Sequence, residues 1–589
     1  MKVNKNLLIV LSLFTVILIS YGNIFLNEFV WDDEFFIVEN IHIRDPDNIP
    51  GFFIEPSTGE LYRPLRGVLY TLTRQIWELN EFGYHLNGFL LHLIATVLIY
   101  FITLKITKKS GFSLVASLFF ATHPIHTARI TNMTASFDVL GIVFLLMAIF
   151  FYIIFSQKGK KNYYCLSIIF YLLALFSTEE AITLILLLFL YDFSFNYKIS
   201  LDNIKLLLKK YIPYIVITIF YLIIRFSVVR QIGRTDVYFE HSFFGTLLTT
   251  VKIFVEYIFI LFFPFNLSIE QVVKFETSLL SLGFLVSLVV LVLVLFFFAK
   301  SYKKSKMVFF SIGWFFITLL PFSNIVPQFT IIADRYLYLP SYGFVLFLTF
   351  LIFKISTIEY IKKYSKIIIL ILIVLIASTY AALTIQRNTE WKDDFTLLST
   401  SVKENPLGTR VHQGLAVYYR EQMDYENALR YASRAVELAS RNYPAYENLG
   451  TINVYLKRYE EAILFYEKSI ELKPDFYLAH NNLGLVYSYM GNINKSLFYL
   501  NKSIQLNPKL SKAYNDIGTV YAHMGNFDRA IEAMEKSIEI NPYNADYYSN
   551  LAIIYEFLED NEQAKDLFVK ALELEPDNEK ARTKLNSLQ

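Results

Sequence analysis

The sequence predicts an all-α protein: a polytopic helical membrane domain followed by an α-solenoid of paired helices. Apolar runs such as residues 279–299 recur from the N-terminus to about residue 388, and each is close to the length that crosses a bilayer. The residues beyond are polar, evenly charged and helix-favouring, and small residues recur there every 34 positions. We therefore predict a membrane domain over 1–388, a linker over 389–407 and a repeat domain over 408–589.

The apolar runs predict about 11 membrane spans, and one further segment, 243–265, is harder to place. The first span, 7–26, is too long for a removed signal peptide, so we expect an anchor. Segment 243–265 carries Lys252 and Glu256. If it does not cross fully, all five lysine clusters of the membrane domain share one face, as the positive-inside rule requires. We therefore expect a re-entrant or interfacial segment, a cytoplasmic N-terminus and an extracytoplasmic repeat domain.

Composition excludes several classes of function. The net charge is +2 over 589 residues and no basic stripe is present, which argues against nucleic acid binding. The one cysteine, Cys165, lies in an apolar run, so neither a disulfide framework nor a zinc signature is indicated. No glycine-rich phosphate loop precedes a helix. We expect no metal site and no certain cofactor, and the need for a divalent ion is left open.

Two adjacent acids, Asp32 and Asp33, follow the first span. Ionised carboxylates so close to a bilayer are costly unless they have a function. The loops on the same predicted face use arginine, with Lys274 the exception, whereas the opposite loops use lysine. Arginine suits a bidentate grip on phosphate, although any single one can also snorkel or pair with an acid. The arginines of this face are Arg44, Arg63, Arg66, Arg74, Arg129, Arg230, Arg234 and Arg335.

The repeats extend over residues 408–577 with a period of 34. The small and proline positions that carry the period are Ala416, Gly450, Gly484, Gly518 and Ala552, and Pro474, Pro508, Pro542 and Pro576. This is the tetratricopeptide-repeat (TPR) pattern, in which small residues allow paired helices to touch. We expect five repeats and a capping helix in 578–589. The concave face of such a stack binds peptides or proteins; the alternative is a dimerisation or purely structural module.

In its predicted outer segments the chain resembles the transmembrane and TPR O-mannosyltransferases, which are GT-C class polyprenyl-phosphate-sugar glycosyltransferases. The matching motifs lie in the family's order along nearly the whole chain, with departures at Ala128, Ser136 and Thr178, where the family often has charged residues. The motifs are Trp31-Asp32-Asp33, Tyr62-Arg63-Pro64-Leu65, His85-Leu86-Asn87, His123-Pro124-Ile125-His126-Thr127, Tyr191-Asp192, Asp334-Arg335-Tyr336-Leu337 and Arg387-Asn388 with Trp391.

The resemblance implies transfer of a sugar, mannose by family likeness, from a polyprenyl-phosphate donor to a hydroxyl of a protein acceptor held by the repeats. Such transfer needs a base for the hydroxyl proton and cations for the leaving phosphate. The resemblance implies that the first outer acidic motif supplies the base, Asp32 or Asp33, and that the anomeric centre inverts. We place Asp32 first because it is the first acid of the motif.

The donor phosphate is assigned to Arg335, Arg63 and Arg66. Arg335 lies at the outer mouth of a span and has as its alternative an ion pair with the adjacent Asp334. Pro64 disfavours helical backbone for Arg63, which suits a loop residue that aims its side chain.

Five further residues are assigned to positioning of donor or acceptor: His123, His126, Asp138, Glu179 and Asp334. The spacing of His123 and His126 also occurs in metal pairs, but a proline interrupts the helix, which favours positioning or packed histidines. Asp138 is either a second active-site carboxylate or a partner of Arg129, and Glu179 carries the same ambiguity.

Two other functions fit the sequence. In the first, the chain is the same kind of enzyme, but its acceptor is a glycan or lipid-linked glycan used in envelope synthesis. In the second, the chain is a non-catalytic membrane scaffold whose repeats organise an envelope complex. The departures from the family's charged residues support the scaffold, whereas a scaffold has no need of Asp32 and Asp33.

Overall fold

The computed structural model describes residues 5–56, 61–230, 242–265, 267–328 and 330–588. Arg234, one of the outer arginines predicted above, lies outside these residues. The described chain is helical and forms no β-sheet. It divides into two compact units, Met1–Pro406 and Leu407–Gln589. The all-helical prediction is confirmed, and each unit is described by itself.

The first unit contains long apolar helices joined by short helical turns. The α-helices are α1 (Lys5–Tyr21), α2 (Pro64–Trp77), α3 (Glu81–Thr107), α4 (Ser110–Thr122), α5 (Thr127–Ile130), α6 (Met133–Ser136), α7 (Val139–Lys158), α8 (Lys161–Leu175), α9 (Leu184–Phe195), α10 (Leu201–Val229), α11 (Phe243–Phe262), α12 (Leu282–Lys304), α13 (Lys306–Leu319), α14 (Pro340–Lys354), α15 (Ser365–Glu390) and α16 (Asp394–Glu404). The other turns are Gly22–Leu26, Glu34–Val38, Ile41–Ile43, Pro46–Phe53, Pro124–His126, Glu179–Thr183, Leu320–Phe322, Asp334–Leu337, Ile355–Thr357 and Glu359–Ile361.

Eight helices in the described residues are long and apolar enough to cross a membrane. Three shorter apolar helices accompany them, at Ser110–Thr122, Lys161–Leu175 and Lys306–Phe322. The eight are Lys5–Leu26, Glu81–Thr107, Met133–Lys158, Leu201–Val229, Phe243–Phe262, Leu282–Lys304, Pro340–Thr357 and Ser365–Glu390. A multi-pass membrane domain is therefore supported by both the sequence and the structure.

Two segments differ in detail from the predicted spans. Within segment 243–265, Phe243–Phe262 form one unbroken helix of 20 residues, which has the length of a span and lacks the internal turn of a re-entrant hairpin. Its Lys252 Nζ binds Glu276 Oε1 at 3.2 Å. An apolar run at 180–193 is also among the spans that the sequence predicts, and it largely coincides with α9, which has only 12 residues. At 1.5 Å per residue this helix is about 18 Å long, shorter than the apolar core of a bilayer.

The motif Tyr191-Asp192 is part of the packing of the first unit. Asp192 is fully buried at the end of α9 and accepts hydrogen bonds from the hydroxyls of Tyr152 and Tyr211, which belong to α7 and α10. Lys210 lies 3.5 Å from the same carboxylate. A buried carboxylate is tolerated only when its oxygens are bonded, so Asp192 ties three helices together.

The second unit consists of five antiparallel helix pairs and a last helix, which confirms the TPR prediction. Gly450 shows why small residues recur: a Cβ there would lie 2.6 Å from the ring of Tyr466 on the paired helix. The pairs are α17 (Thr409–Glu421) with α18 (Tyr425–Leu438), α19 (Tyr443–Tyr455) with α20 (Tyr459–Leu472), α21 (Tyr477–Tyr489) with α22 (Ile493–Leu506), α23 (Ser511–His523) with α24 (Phe527–Ile540) and α25 (Ala545–Phe557) with α26 (Asn561–Leu574), followed by α27 (Glu579–Ser587).

Candidate active site

The loop after α1 presents the two predicted acids in different environments. Asp33 is fully buried, and its carboxylate accepts backbone N–H bonds from Thr134 at 2.7 Å and from Val30 at 3.2 Å. Burial raises the pKa of Asp33 to about 7, and the charge of Asp32 adds to this rise. Asp33 therefore joins its loop to residue 134, at the start of the long α6–α7 segment.

The Asp32 carboxylate is half-buried and makes no hydrogen bond or ion pair with any residue that the structure describes. The preceding residue, Trp31, has a φ of 59°, in the left-handed region that bulky side chains rarely adopt. This backbone turn directs Asp32 and Asp33 differently. Of the two acids, Asp32 has the carboxylate that is available to a substrate.

Arg335 is the cation associated with Asp32. It is half-buried in the turn Asp334–Leu337, and its guanidinium lies 5.5 Å from the centre of the Tyr336 ring. Burial lowers the pKa of Arg335, but Tyr336, Asp32 and Asp138 together raise it above its ordinary value. Arg335 therefore stays charged, within electrostatic reach of both Asp32 and Asp138.

The alternative ion pair between Arg335 and Asp334 is not formed. Asp334 is buried, accepts a hydrogen bond from Gln271 Nε2 at 3.3 Å and has its other oxygen without a partner among the described residues. Burial raises its pKa to about 6, although the nearby guanidinium of Arg387 acts in the opposite direction. Asp334 therefore faces the Arg387 side, while its neighbour Arg335 is associated with Asp32.

Arg63, Arg66, Asp138 and Glu179 form one ion-pair network. Arg63 precedes α2 with non-helical backbone, as Pro64 predicts. Its Nη1 lies 2.7 Å from Asp138 Oδ1, and its Nη2 lies 2.6 Å from Glu179 Oε2. Arg66 Nη1 reaches the same Asp138 oxygen at 3.2 Å. Burial lowers the pKa of Arg63, but the two carboxylates offset this and raise it overall. Arg63 and Arg66, two of the three arginines predicted to hold phosphate, are thus paired with carboxylates.

Arg129 extends this network toward Arg335. Its Nη1 lies 3.7 Å from Asp138 Oδ2, its Nη2 is paired with Glu180, and its Nε donates to the backbone carbonyl of Arg335 at 2.9 Å. Asp138 is therefore a partner of Arg129, which was one of its two predicted roles. It is also paired with Arg63 and Arg66. The network contains equal numbers of arginines and acids, so it needs no additional counter-ion.

The predicted histidines are buried and packed rather than open to a ligand. His126 Nε2 lies 2.8 Å from Ser341 Oγ, and His123 Nε2 lies 3.1 Å from the carbonyl of Leu261. His92 adds a third ring, 5.3 Å from His126 between centroids. Burial lowers the pKa of His126 well below its ordinary value. No group of three possible metal ligands occurs among the described residues.

A groove of about 970 Å³ extends from the ion-pair network along the side of the membrane unit. Arg63, Glu179 and Glu180 lie at its polar end, and Arg225 and Gln328 also line it. Ile223, 63% exposed, represents the apolar wall. The wall consists of Ile182, Leu186, Ile219, Leu222, Ile223, Phe226, Leu320, Phe322 and Val326. An apolar groove that is also lined by charged side chains has the polarity that suits a lipid with an anionic headgroup.

Sequence reasoning missed one residue that holds this site. Asp394, at the start of α16, accepts a hydrogen bond from the backbone N–H of Trp31 at 2.8 Å. The two residues are 363 positions apart in the chain. The doublet Asp393-Asp394 looks in the sequence like a helix start, which Asp393 does provide by capping α16.

Comparisons with known proteins match both parts of the chain to described families. Residues 64–229 match the family described as dolichyl-phosphate-mannose-protein mannosyltransferase. Residues 409–475, 477–510 and 509–576 match tetratricopeptide repeats. The human protein O-mannosyl-transferase TMTC3 is 25% identical over 500 residues, which cover 77% of this chain and 54% of the relative. The chain is homologous to the TMTC O-mannosyltransferases.

Other TMTC relatives agree. The Caenorhabditis elegans protein O-mannosyl-transferase F38B6.6 is 23% identical over 430 residues, covering 70% of this chain and 59% of its own. Human protein O-mannosyl-transferase TMTC1 is 31% identical over 145 residues, which cover 23% of this chain and 16% of the relative. This chain spans little more than half the length of the first two TMTC relatives. A thermophilic TPR protein of Thermus thermophilus has 20% identity and a TM-score of 0.30, and covers 31% of this chain and 98% of its own.

Proposed function

We propose that this chain is a membrane glycosyltransferase that moves a mannosyl group from a polyprenyl-phosphate donor to a hydroxyl of a protein. The observation that carries the proposal is that the available Asp32 carboxylate, the charged Arg335 beside it and an apolar groove lined by charged side chains all belong to one compact unit. The match of residues 64–229 to a mannosyltransferase family supports mannose as the sugar. The names of the TMTC relatives support a protein acceptor.

The groove supports a lipid-linked donor. Part of its apolar wall lies on α10, a candidate membrane span, beside which a polyprenyl chain would be soluble, and Arg63 and Glu179 of the ion-pair network also line it. A nucleotide sugar would leave such a wall unused. The donor's tail then lies along α10, and its phosphate lies near Arg335.

In the proposed reaction, Asp32 takes the proton of the acceptor hydroxyl. The hydroxyl oxygen attacks the anomeric carbon of the sugar from the face opposite the phosphate. The bond between that carbon and the phosphate oxygen breaks, the anomeric centre inverts, and polyprenyl phosphate leaves. A positioned base contributes about 10²–10⁴-fold to such a step.

Arg335 stabilises the charge that develops on the leaving phosphate. Arg63 and Arg66 are satisfied by Asp138 and Glu179, so we give them the role of fixing the polar end of the groove. Arg335 is then the cation that we assign to the phosphate. Asp33 positions the loop by its two backbone bonds.

The repeats serve to recruit the acceptor or a partner. With segment 243–265 counted as interfacial, the lysine-rich loops favour a cytoplasmic N-terminus, and both Asp32 and the TPR unit then lie on the extracytoplasmic side. Tethering of an acceptor by a short flexible link gives an effective concentration of about a millimolar. The proposed location is the cell membrane.

Transfer of radiolabelled sugar tests the proposal. Purified protein is incubated with polyprenyl-phosphate mannose, or with the glucose analogue as control, and with a Ser/Thr-rich protein. The proposal predicts label on protein from the mannose donor with the wild type and none with Asp32→Ala. Label on glycolipid instead would favour the glycan acceptor, and an inactive, well-folded wild type would favour the scaffold.

A further inference from the structure

We propose that Asp394 is a positioning residue for the Asp32 loop, so that the segment between the last span and the repeats is part of the catalytic apparatus. The inference deepens the proposed function and rests on it for the role of Asp32. It starts from the Trp31 N–H, which donates to Asp394 Oδ1 across 363 residues of chain.

The hydrogen bond between Trp31 and Asp394 restrains the backbone directly before Asp32. Trp31 holds a φ of 59°, a conformation that a bulky residue keeps only when its surroundings impose it. The next residue is Asp32, whose carboxylate has no partner among the described residues. Its aim is therefore set by the backbone on either side. Asp33, which follows Asp32, is held by its bonds with the backbone N–H groups of Thr134 and Val30. Trp31, which precedes Asp32, is held by Asp394.

Other contacts from the same segment reinforce the bond. The Glu28 N–H donates to the carbonyl of Lys392 at 2.9 Å, and Asn27 Nδ2 donates to the carbonyl of Asn388 at 2.9 Å. Val30, Trp391 and Leu397 form a small buried apolar cluster between the two segments. Residues 388–397 therefore run along residues 27–31 and hold them by polar and apolar contacts.

Asp394 is itself held in place. It is the first residue of α16, whose start is fixed by Asp393 Oδ1 accepting from the Thr396 N–H at 2.8 Å. At the other end of the helix, Glu404 Oε2 lies 3.4 Å from Arg387 Nη1 of α15. The helix is thus anchored at both ends to the unit that contains the active site. A displacement of about 1 Å at a reacting group can reduce a rate by about 10²-fold.

The test compares Asp394→Ala with the conservative Asp394→Asn, whose side-chain oxygen still accepts the Trp31 N–H. Asp202→Ala is the matched control, because Asp202 is an exposed acid in the first turn of α10. In the full-length protein, we expect Asp394→Ala to lower kcat between about tenfold and 10²-fold with the donor KM within about threefold. Asp394→Asn and Asp202→Ala stay within about threefold of the wild type in both constants.

Amide hydrogen exchange of peptides covering residues 27–34 gives a readout that needs no activity. We expect faster exchange in Asp394→Ala than in the wild type, Asp394→Asn or Asp202→Ala. A donor KM effect without a kcat effect, equal losses in Asp394→Ala and Asp394→Asn, or unchanged exchange would overturn the proposal. If the wild type transfers no sugar, the proposed function fails, and the exchange result alone decides whether Asp394 holds the loop.

Discussion

The buried network around Arg63 makes a quantitative prediction about stability. In Arg63→Met the guanidinium is lost while Asp138 and Glu179 remain. Removing one partner of a buried ion pair costs about 3–5 kcal/mol, because it leaves an uncompensated charge. We take the lower end, about 3 kcal/mol, since Asp138 keeps Arg66 at 3.2 Å and the Glu179 side chain is 22% exposed.

The assay is thermal unfolding of the purified protein in detergent. With an unfolding entropy of about 2.1 cal/mol/K per residue, a loss of about 3 kcal/mol in a unit of this size lowers the apparent midpoint by about 4 °C. Arg63→Met with Glu179→Gln restores the balance of charges and should recover most of that loss. Arg434→Met is the matched control: its pair with Glu437, at 2.9 Å, is exposed and contributes at most about 1 kcal/mol.

A midpoint for Arg63→Met within about 1 °C of the wild-type midpoint would refute this reasoning, since the network would then contribute no more than a surface pair. The reasoning also fails if Arg63→Met with Glu179→Gln is as unstable as Arg63→Met alone. In that case the loss comes from packing of the arginine side chain and not from charge.

Three further predictions follow from single contacts. The pKa of Asp33 is raised to about 7, so its contribution to stability, up to about 4 kcal/mol, is present below about pH 4 and is lost as the pH rises through 7. Unfolding midpoints measured from pH 5 to 8 should therefore fall more in the wild type than in Asp33→Asn. Ile223→Trp narrows the groove and should raise the donor KM about tenfold in a transfer assay, whereas Val289→Trp, on the lipid-facing side of α12, should not. Gly450→Val places atoms against the Tyr466 ring and should destabilise the TPR unit by about 1–3 kcal/mol, seen as earlier chemical unfolding of that unit alone.

The sequence predicts the helical framework well because its signals are local. Apolar runs mark the spans, and the 34-residue period marks the repeats through positions such as Gly450, where the paired helix leaves no space for a side chain. Segment 243–265 shows the limit of this reasoning. The incomplete crossing expected from its charges stays a prediction, whereas the pairing of Lys252 with Glu276, a residue outside the helix, is a contact that a local pattern cannot reveal.

The site is predicted in its residues but not in its pairings. Asp32, Asp33 and Arg335 are identified by type and by their predicted face, whereas the commitment of Arg63 to Asp138 depends on how α2 packs beside α7. The difference between Asp32 and Asp33 depends on which of them meets the backbone of Thr134. Long-range hydrogen bonds of this kind leave no periodic trace in a sequence.

The most direct test of the account is single-turnover mannosyl transfer from polyprenyl-phosphate mannose by the wild type, Asp32→Asn and Asp33→Asn. The account predicts a loss of about 10²-fold or more in Asp32→Asn, because the base is removed, and a loss of less than about tenfold in Asp33→Asn, because the asparagine oxygen can still accept the Thr134 N–H. Transfer by Asp32→Asn at the wild-type rate, or a greater loss in Asp33→Asn than in Asp32→Asn, would contradict the assignment of Asp32 as the base.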